Sequence, residues 1–428
     1  MKLKMIVTAV AVALNVSAFA AVSENDNIHC CSGNAKYFQR TLSNQKVTGS
    51  VVDILDARQS GYLKSNTHYI EGKSEVYAQY QDTKGVRDVN TGSYTTATLN
   101  NNSSASIKIP YVDLAFTSTV GDWVSSFIDM QVTNYASSNA LAPHAYFVFG
   151  NTKESPFYFF GGKKIVEFGN FTSSSNFMPT LSRAYFMAYG GQLGAGYTKN
   201  GLDLTATLIA SSEESMFNSQ VSAPNQFNNF SVSASYSGIN SFFNYYGGIG
   251  YINDSTEFSH NNKNGENNPT IGAVDFNAGI STQKLSLNAE VIFTTTGVKN
   301  LSETTVTSDI VSTVSPSGDL IDSANFTSFG FNAMPVLINF DSGSPVKAWS
   351  LNSTYSGVLL GKELSPYVSY SHIAQNSDNH LYQFEIGSRY NLVDSFWIGS
   401  SYNYTSGKTK GEQMGSYNTF MLDTTVYF

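Results

Sequence analysis

From Tyr69 to its carboxyl end the chain repeats one unit: about ten residues in which apolar and polar side chains alternate, then a connector rich in Gly, Asn, Asp and Ser. A period of two is that of a β-strand, whose successive side chains point to opposite faces. Leu202, Leu204, Ala206, Leu208 and Ala210 share one face, with Asp203, Thr205 and Thr207 on the other. Leu285, Leu287, Ala289, Val291 and Phe293 stand likewise against Ser286, Asn288 and Glu290. So do Tyr382, Phe384, Ile386 and Tyr390 against Gln383, Glu385 and Arg389. In the first such block, Ile70, Val76, Ala78 and Tyr80 oppose Glu71, Lys73, Glu75, Tyr77 and Gln79. The charges keep to the polar face, so one face suits lipid and the other suits water.

A soluble sandwich also alternates, but it carries its charges on its outer surface at ordinary abundance. Here Asp, Glu, Lys and Arg are only 13% of the chain and aromatics reach 14%. A closed transmembrane antiparallel β-barrel explains both values, because every backbone group is paired around the wall and one face of each strand meets lipid. Beyond the amino terminus no run approaches the ~18 apolar residues of a membrane helix. The net charge of −8 and the lack of a long basic block exclude nucleic acid as a natural partner.

Connector length sets the strand count. Short turns fall at Val120–Asp122, Asn151–Ser155, Lys199–Gly201, Ser237–Asn240, Ser281–Lys284, Leu360–Ser365 and Asn391–Ser395. Long ones fall at Thr83–Ser104, Gly169–Arg183, Ser211–Asn228, Asn253–Pro269 and Ser406–Ser416. With both chain ends on the periplasmic side the number of strands is even. Counting every alternation gives seventeen, and the block that breaks parity is Ser328–Phe340. Without it the barrel has sixteen strands over residues 69–428 and long outer loops. Thr296–Lys347 then becomes one outer loop whose apolar residues, among them Phe329, Phe331, Met334 and Phe340, need a surface to cover and are expected to fold inward as a gate. The chain ends on Phe428, preceded by Phe420, Leu422, Thr424 and Val426 at alternate positions, which is similar to the closing-strand signal of outer-membrane barrels.

Lys2 and Lys4, the apolar run Met5–Val16 and Ala18-Phe19-Ala20 make residues 1–20 an export signal. Residues 21–68 read as a periplasmic lead-in with one apolar patch, Val51, Val52, Ile54 and Leu55, too short for a globular plug. Cys30 and Cys31 are adjacent, which excludes a disulfide framework. No metal, cofactor or catalytic motif stands out: the six histidines are scattered, and His372, Asp378 and His380 on one hairpin lack a fourth ligand. The chain is read as a non-enzyme.

The most distinctive stretch runs from Pro156 through Phe157-Tyr158-Phe159-Phe160-Gly161-Gly162-Lys163-Lys164 and Phe168-Gly169-Asn170-Phe171, and continues at Met178–Phe186 around Arg183. It resembles the G-K/R-x-x-x-x-F-G-x-F segment of specific porins. With the export signal, the barrel size and the terminal Phe, the chain resembles the LbtU-type siderophore porins of intracellular gamma-proteobacteria. That resemblance implies uptake of iron or a ferric siderophore across the outer membrane through a barrel without a separate plug, with Lys163, Lys164 and Arg183 beside the ligand. Strand parity itself puts Glu71, Lys73, Glu75, Glu290, Glu385 and Arg389 in the lumen. A general diffusion porin and a surface adhesin or structural barrel are the alternatives. A selective channel should show a gating loop and convergent groups, which an open one lacks.

Overall fold

The protein is represented by a computed structural model that describes residues 28–30, 50–87, 99–109, 111–133, 141–175, 178–187, 189–210, 227–240, 242–255, 271–282, 284–296, 344–409 and 412–428. The export signal and the expected gate at 329–340 lie outside the described residues.

Alternation becomes a closed antiparallel wall of sixteen strands. They are β1 (His68–Arg87), β2 (two stretches, Leu99–Lys108 and Tyr111–Val120), β3 (Val124–Thr133), β4 (Leu141–Gly150), β5 (Phe157–Ile165), β6 (Tyr189–Lys199), β7 (Leu202–Ala210) and β8 (Phe227–Ile239). There follow β9 (Asn244–Ile252), β10 (Ala273–Ser281), β11 (Leu285–Thr294), β12 (Lys347–Tyr355, continued by Gly357–Leu359), β13 (Lys362–Ala374), β14 (His380–Val393), β15 (Phe396–Thr409) and β16 (Glu412–Tyr427). Each strand pairs with its neighbours in sequence. The ring closes where β16 meets β1, from Ser416 opposite Lys84 to Tyr427 opposite Lys73. Phe428 and Gly72 exchange backbone hydrogen bonds at 2.9 and 2.6 Å beyond that pairing. The start of β1 and the end of β16 therefore share the rim that carries the short turns, as an even count demands.

The short turns have the backbone that tight hairpins require. Asn200 and Gly201 have φ of 52° and 82°, and Leu360 and Gly361 have 52° and 77°. Two successive left-handed residues match the strand twist. At Gly201 a β-carbon would lie 1.9 Å from the Ser237 carbonyl oxygen, so no other residue fits.

Side-chain direction follows the pleat. Leu208 is 55% exposed on the outer face and Thr207 is 3% exposed on the inner one. Phe147, Phe159, Leu193, Val291, Leu351, Ile386 and Leu422 continue the apolar outer band. Outward-facing aromatics edge this band at both rims. Toward the short turns, Phe157 meets Tyr197 at 5.4 Å and Tyr236 meets Tyr245 at 6.1 Å between ring centroids. Toward the long loops, Trp349 meets Tyr370 at 5.0 Å and Tyr382 meets Tyr404 at 6.0 Å. An apolar belt between two aromatic girdles is the surface of a barrel that spans a membrane.

Two segments enter the barrel. The first is α1 (Ser50–Gln59), part of the expected lead-in. Its apolar residues are spaced for one helical face, and Val51, Ile54 and Leu55 are each 1–3% exposed. They pack with the lumen-facing Phe127, Tyr146, Val148, Tyr158 and Phe160 and with Trp397 and Tyr427. The Arg58 guanidinium donates to the carbonyls of Val124 (2.8 Å) and Gly121 (2.5 Å) and to the Ser125 hydroxyl (2.9 Å). These partners place the helix at the short-turn end. The short apolar patch of the lead-in is thus a face seated inside the barrel. A separate three-residue strand, Ile28–Cys30, runs parallel to the start of β1.

The second segment is the connector between β5 and β6, which contains α2 (Leu181–Phe186), capped by the Thr180 hydroxyl accepting from the Arg183 amide. It does not leave the barrel for solvent. Phe168, Phe171, Leu181, Tyr185 and Phe186 pack against Ile209, Ile252, Ile292, Ala348, Ile373 and Leu381 on the inner wall. These wall residues sit near the long-loop ends of their strands.

Candidate functional site: the constricted lumen

The inward connector is held by polar side chains of the far wall. Glu290 on β11 is 4% exposed; its Oε1 accepts the backbone N–H groups of Asn170 (2.9 Å) and Phe171 (2.7 Å), and its Oε2 accepts the Ser182 hydroxyl (2.7 Å). One carboxylate thus fixes two points of the connector. Around it, the Leu181 amide donates to Ser371 Oγ (3.0 Å), Asn352 Nδ2 donates to the Thr172 carbonyl (3.0 Å) and Asn170 Nδ2 donates to the Tyr246 hydroxyl (2.7 Å). The connector turns at Gly169 and Phe171, whose φ values of 74° and 50° are left-handed. Phe171 accepts that backbone because it is 1% exposed in the apolar layer and Glu290 caps both its own amide and that of Asn170.

The lumen is therefore layered. An apolar layer of connector and wall residues lies toward the long loops. Beneath it, on the short-turn side and opposite the apolar face of α1, lies a cavity of about 1280 Å³. Its lining mixes apolar residues such as Val52, Phe168 and Ile249 with polar ones: Ser233, Ser235, Asn277, Ser286, Asn288 and Thr354 from the wall, Asn170 and Thr172 from the connector, and Asp53, Asp56 and Gln59 from α1.

The residues singled out in the sequence fall into three groups. Glu71, Lys73, Glu75, Glu290, Glu385 and Arg389 are all buried on the inner face. Lys73 bridges Glu75 (3.2 Å) and Asp113 (3.4 Å); Glu385 accepts the Tyr367 hydroxyl (3.1 Å); Arg389 lies 5.3 Å over the Trp397 ring. These groups are fastened to the wall and to one another. Lys164 and Arg183 are also buried, 1% and 3% exposed, and Lys164 pairs with Glu167. Lys163 is the correction. It stands opposite Ala145 and Gly191, two residues on from Gly161 and four from the exposed Phe159, so the pleat turns it to the outer face near the long-loop rim. Adjacent residues of a regular strand turn to opposite faces, and the doubled lysine concealed that constraint.

No family model matches the chain, and no curated protein matches it in sequence. Solved structures do match in fold. The outer membrane channel DcaP of Acinetobacter baumannii superposes with a TM-score of 0.52 at 12% identity, over 84% of this chain and 97% of that one. The anion-selective porin from Comamonas acidovorans gives 0.52 at 10% identity, over 85% and 99%, and OprB of Pseudomonas putida gives 0.52 at 9%, over 84% and 94%. The barrel has the fold of an outer-membrane porin. Its own lipid-facing belt and girdles agree with an outer-membrane location.

Within this porin fold, sequence reading missed the residues that hold the inserted segments. Glu290 was legible as a lumen carboxylate but not as the clasp of a connector more than a hundred residues away. Ser182, Asn352 and Ser371 carry no pattern of their own. Arg58, Asp53 and Asp56 could have been found from the helical spacing of Val51, Ile54 and Leu55.

Proposed function

We propose that the protein is an outer-membrane channel for small hydrophilic solutes, with its lumen narrowed by the β5–β6 connector and by α1. The observation that carries this reading is the clasp of Glu290 on Asn170, Phe171 and Ser182, which stations an apolar layer across part of the barrel interior. A barrel built only as scaffold or adhesin has no need to anchor a connector in its lumen, whereas a selective pore does. The cavity beneath the layer, with polar groups on its wall, connector and helix sides, supplies a path on the short-turn side.

The finer reading, uptake of iron or a ferric siderophore, rests on the resemblance of the Pro156–Phe171 and Met178–Phe186 segments. In this protein those segments form β5 and the inserted connector, so the resemblance bears on the constriction itself. The specific expectation that Lys163, Lys164 and Arg183 jointly hold an anionic ferric complex loses its basis, because Lys163 faces outward and Lys164 is paired with Glu167. Passage of small solutes generally is supported equally well. Swelling of proteoliposomes in graded sugars and amino acids tests the channel, and growth on a ferric siderophore with and without the protein tests the iron reading. Impermeable, correctly inserted barrels would contradict the first; equal growth would contradict the second.

A further inference from the structure

At the long-loop rim of β12–β15 the lipid-facing wall carries a line of basic side chains that the lumen does not use. Lys347 stands opposite Ala374, Ala374 opposite His380 and His380 opposite Lys408, so four adjacent strands contribute one row across the outer face. With neighbouring strands about 4.8 Å apart, the row spans about 14 Å. The next row toward the membrane centre is Trp349, His372, Tyr382 and Ser406, and the one after it Leu351, Tyr370, Phe384 and Tyr404. Basic, aromatic and apolar rows thus succeed one another with depth. In the other direction the first row continues as Phe293, Val274 and Tyr251, which confines its basic part to this sector.

The wall itself does not neutralise this row. Lys347 is exposed, Lys408 and both histidines are half-buried, and the side chains of Lys347, His372 and Lys408 have no ion pair or hydrogen bond among the described residues. His380 donates its Nδ1 hydrogen to the Ser377 carbonyl at 3.0 Å, which leaves Nε2 for a second partner. Asp378, in the turn above, pairs with neither histidine, and no group of side chains suited to a metal ion forms there among the described residues. The His372 ring lies 6.0 Å from that of His380 and 6.0 Å from Trp349, so it joins the basic row to the aromatic one. A cation on the lipid face is tolerated where its head reaches the headgroup layer, and a belt of Trp and Tyr marks that layer. The anion available at that depth is the lipid headgroup, which basic side chains recognise by charge and hydrogen bonding.

We propose that this face of β12–β15 binds the anionic, phosphorylated headgroup of a lipid in the leaflet at the long-loop rim. Lys347, His380 and Lys408 take the phosphate, His372 stands behind them, and Trp349 and the apolar rows below meet the acyl chains. The site lies outside the lumen, so it stands apart from the channel reading. Full-length protein in detergent, titrated with diphosphorylated lipid A and with bound lipid counted by native mass spectrometry, tests it. Wild type should hold lipid A severalfold more tightly than phosphatidylcholine. Lys347→Gln with Lys408→Gln should weaken that binding severalfold, and Lys284→Gln with Lys362→Gln, at the short turns, should leave it unchanged. Equal binding of the two lipids, no loss in the first variant or an equal loss in the second overturns the proposal. Displacement of the lipid by millimolar inorganic phosphate also overturns it, in favour of a site for free anions. Should the first variant fail to fold, His372→Gln with His380→Gln decides by the same comparison.

Discussion

At Glu290 a single side chain determines where the connector lies, and the cost of removing it follows from what it accepts. Glu290→Ala leaves the Asn170 and Phe171 amides without an acceptor, at about 1–3 kcal/mol for each orphaned group, while the Ser182 hydroxyl can turn to Ser350 Oγ at 3.3 Å. The expected outcome is a connector that samples positions away from the wall, measured as faster proteolysis at 170–185 in an intact barrel. Lys73 differs because its two partners are acidic and 1–4% exposed; Lys73→Met removes the ammonium that bridges Glu75 and Asp113 and should destabilise the barrel in urea unfolding, by at most about 3–5 kcal/mol. Leu208→Arg on the lipid face, away from the short-turn girdle, should cost about 2–4 kcal/mol relative to Leu208→Ala in the same assay. Single residues were legible where strand parity governs them, as for Glu71, Lys73, Glu75, Glu290, Glu385 and Arg389. Parity alone does not tell a free lumen charge from a fastened one, and the partners that decide it, such as Tyr367 for Glu385, come from other strands.

Elements were legible wherever one local rule sufficed. The alternation places the strands, and Asn200-Gly201 and Leu360-Gly361 place their turns. The two inserted segments escaped because long-range packing chooses their position. Polar letters dominate Gly169–Arg183, which therefore reads as an outer loop, yet Phe168, Phe171, Leu181 and Tyr185 find an inner wall of Ile209, Ile292 and Ile373 to cover. The inward apolar segment expected at 329–340 lies outside the described residues. Helix α1 escaped for a simpler reason: a ten-residue segment with three buried apolar positions looks incidental until the barrel provides Tyr146, Tyr158 and Phe160 as its seat. Deleting residues 50–59 should therefore leave an inserted barrel with raised conductance, read by heat-modifiable migration for the barrel and by bilayer recording for the pore.

For the whole molecule, closure is the organising fact. Sixteen strands return the chain to its starting rim, and β16 seals against β1 through Phe428 and Gly72. A β-carbon at Gly72 would lie 2.3 Å from the Phe428 ring, so the last residue packs directly on the first strand. The closed wall turns alternation into two solvents, lipid outside and a polar lumen inside, and the inserted connector then sets how much of that lumen conducts. The most direct test is single-channel conductance of wild type and of a form in which residues 170–185 are replaced by a short Gly/Ser linker, both verified as inserted barrels. Wild type should show small, discrete openings, and the form without the connector a severalfold larger conductance; equal conductance in the two would contradict a lumen narrowed by the connector.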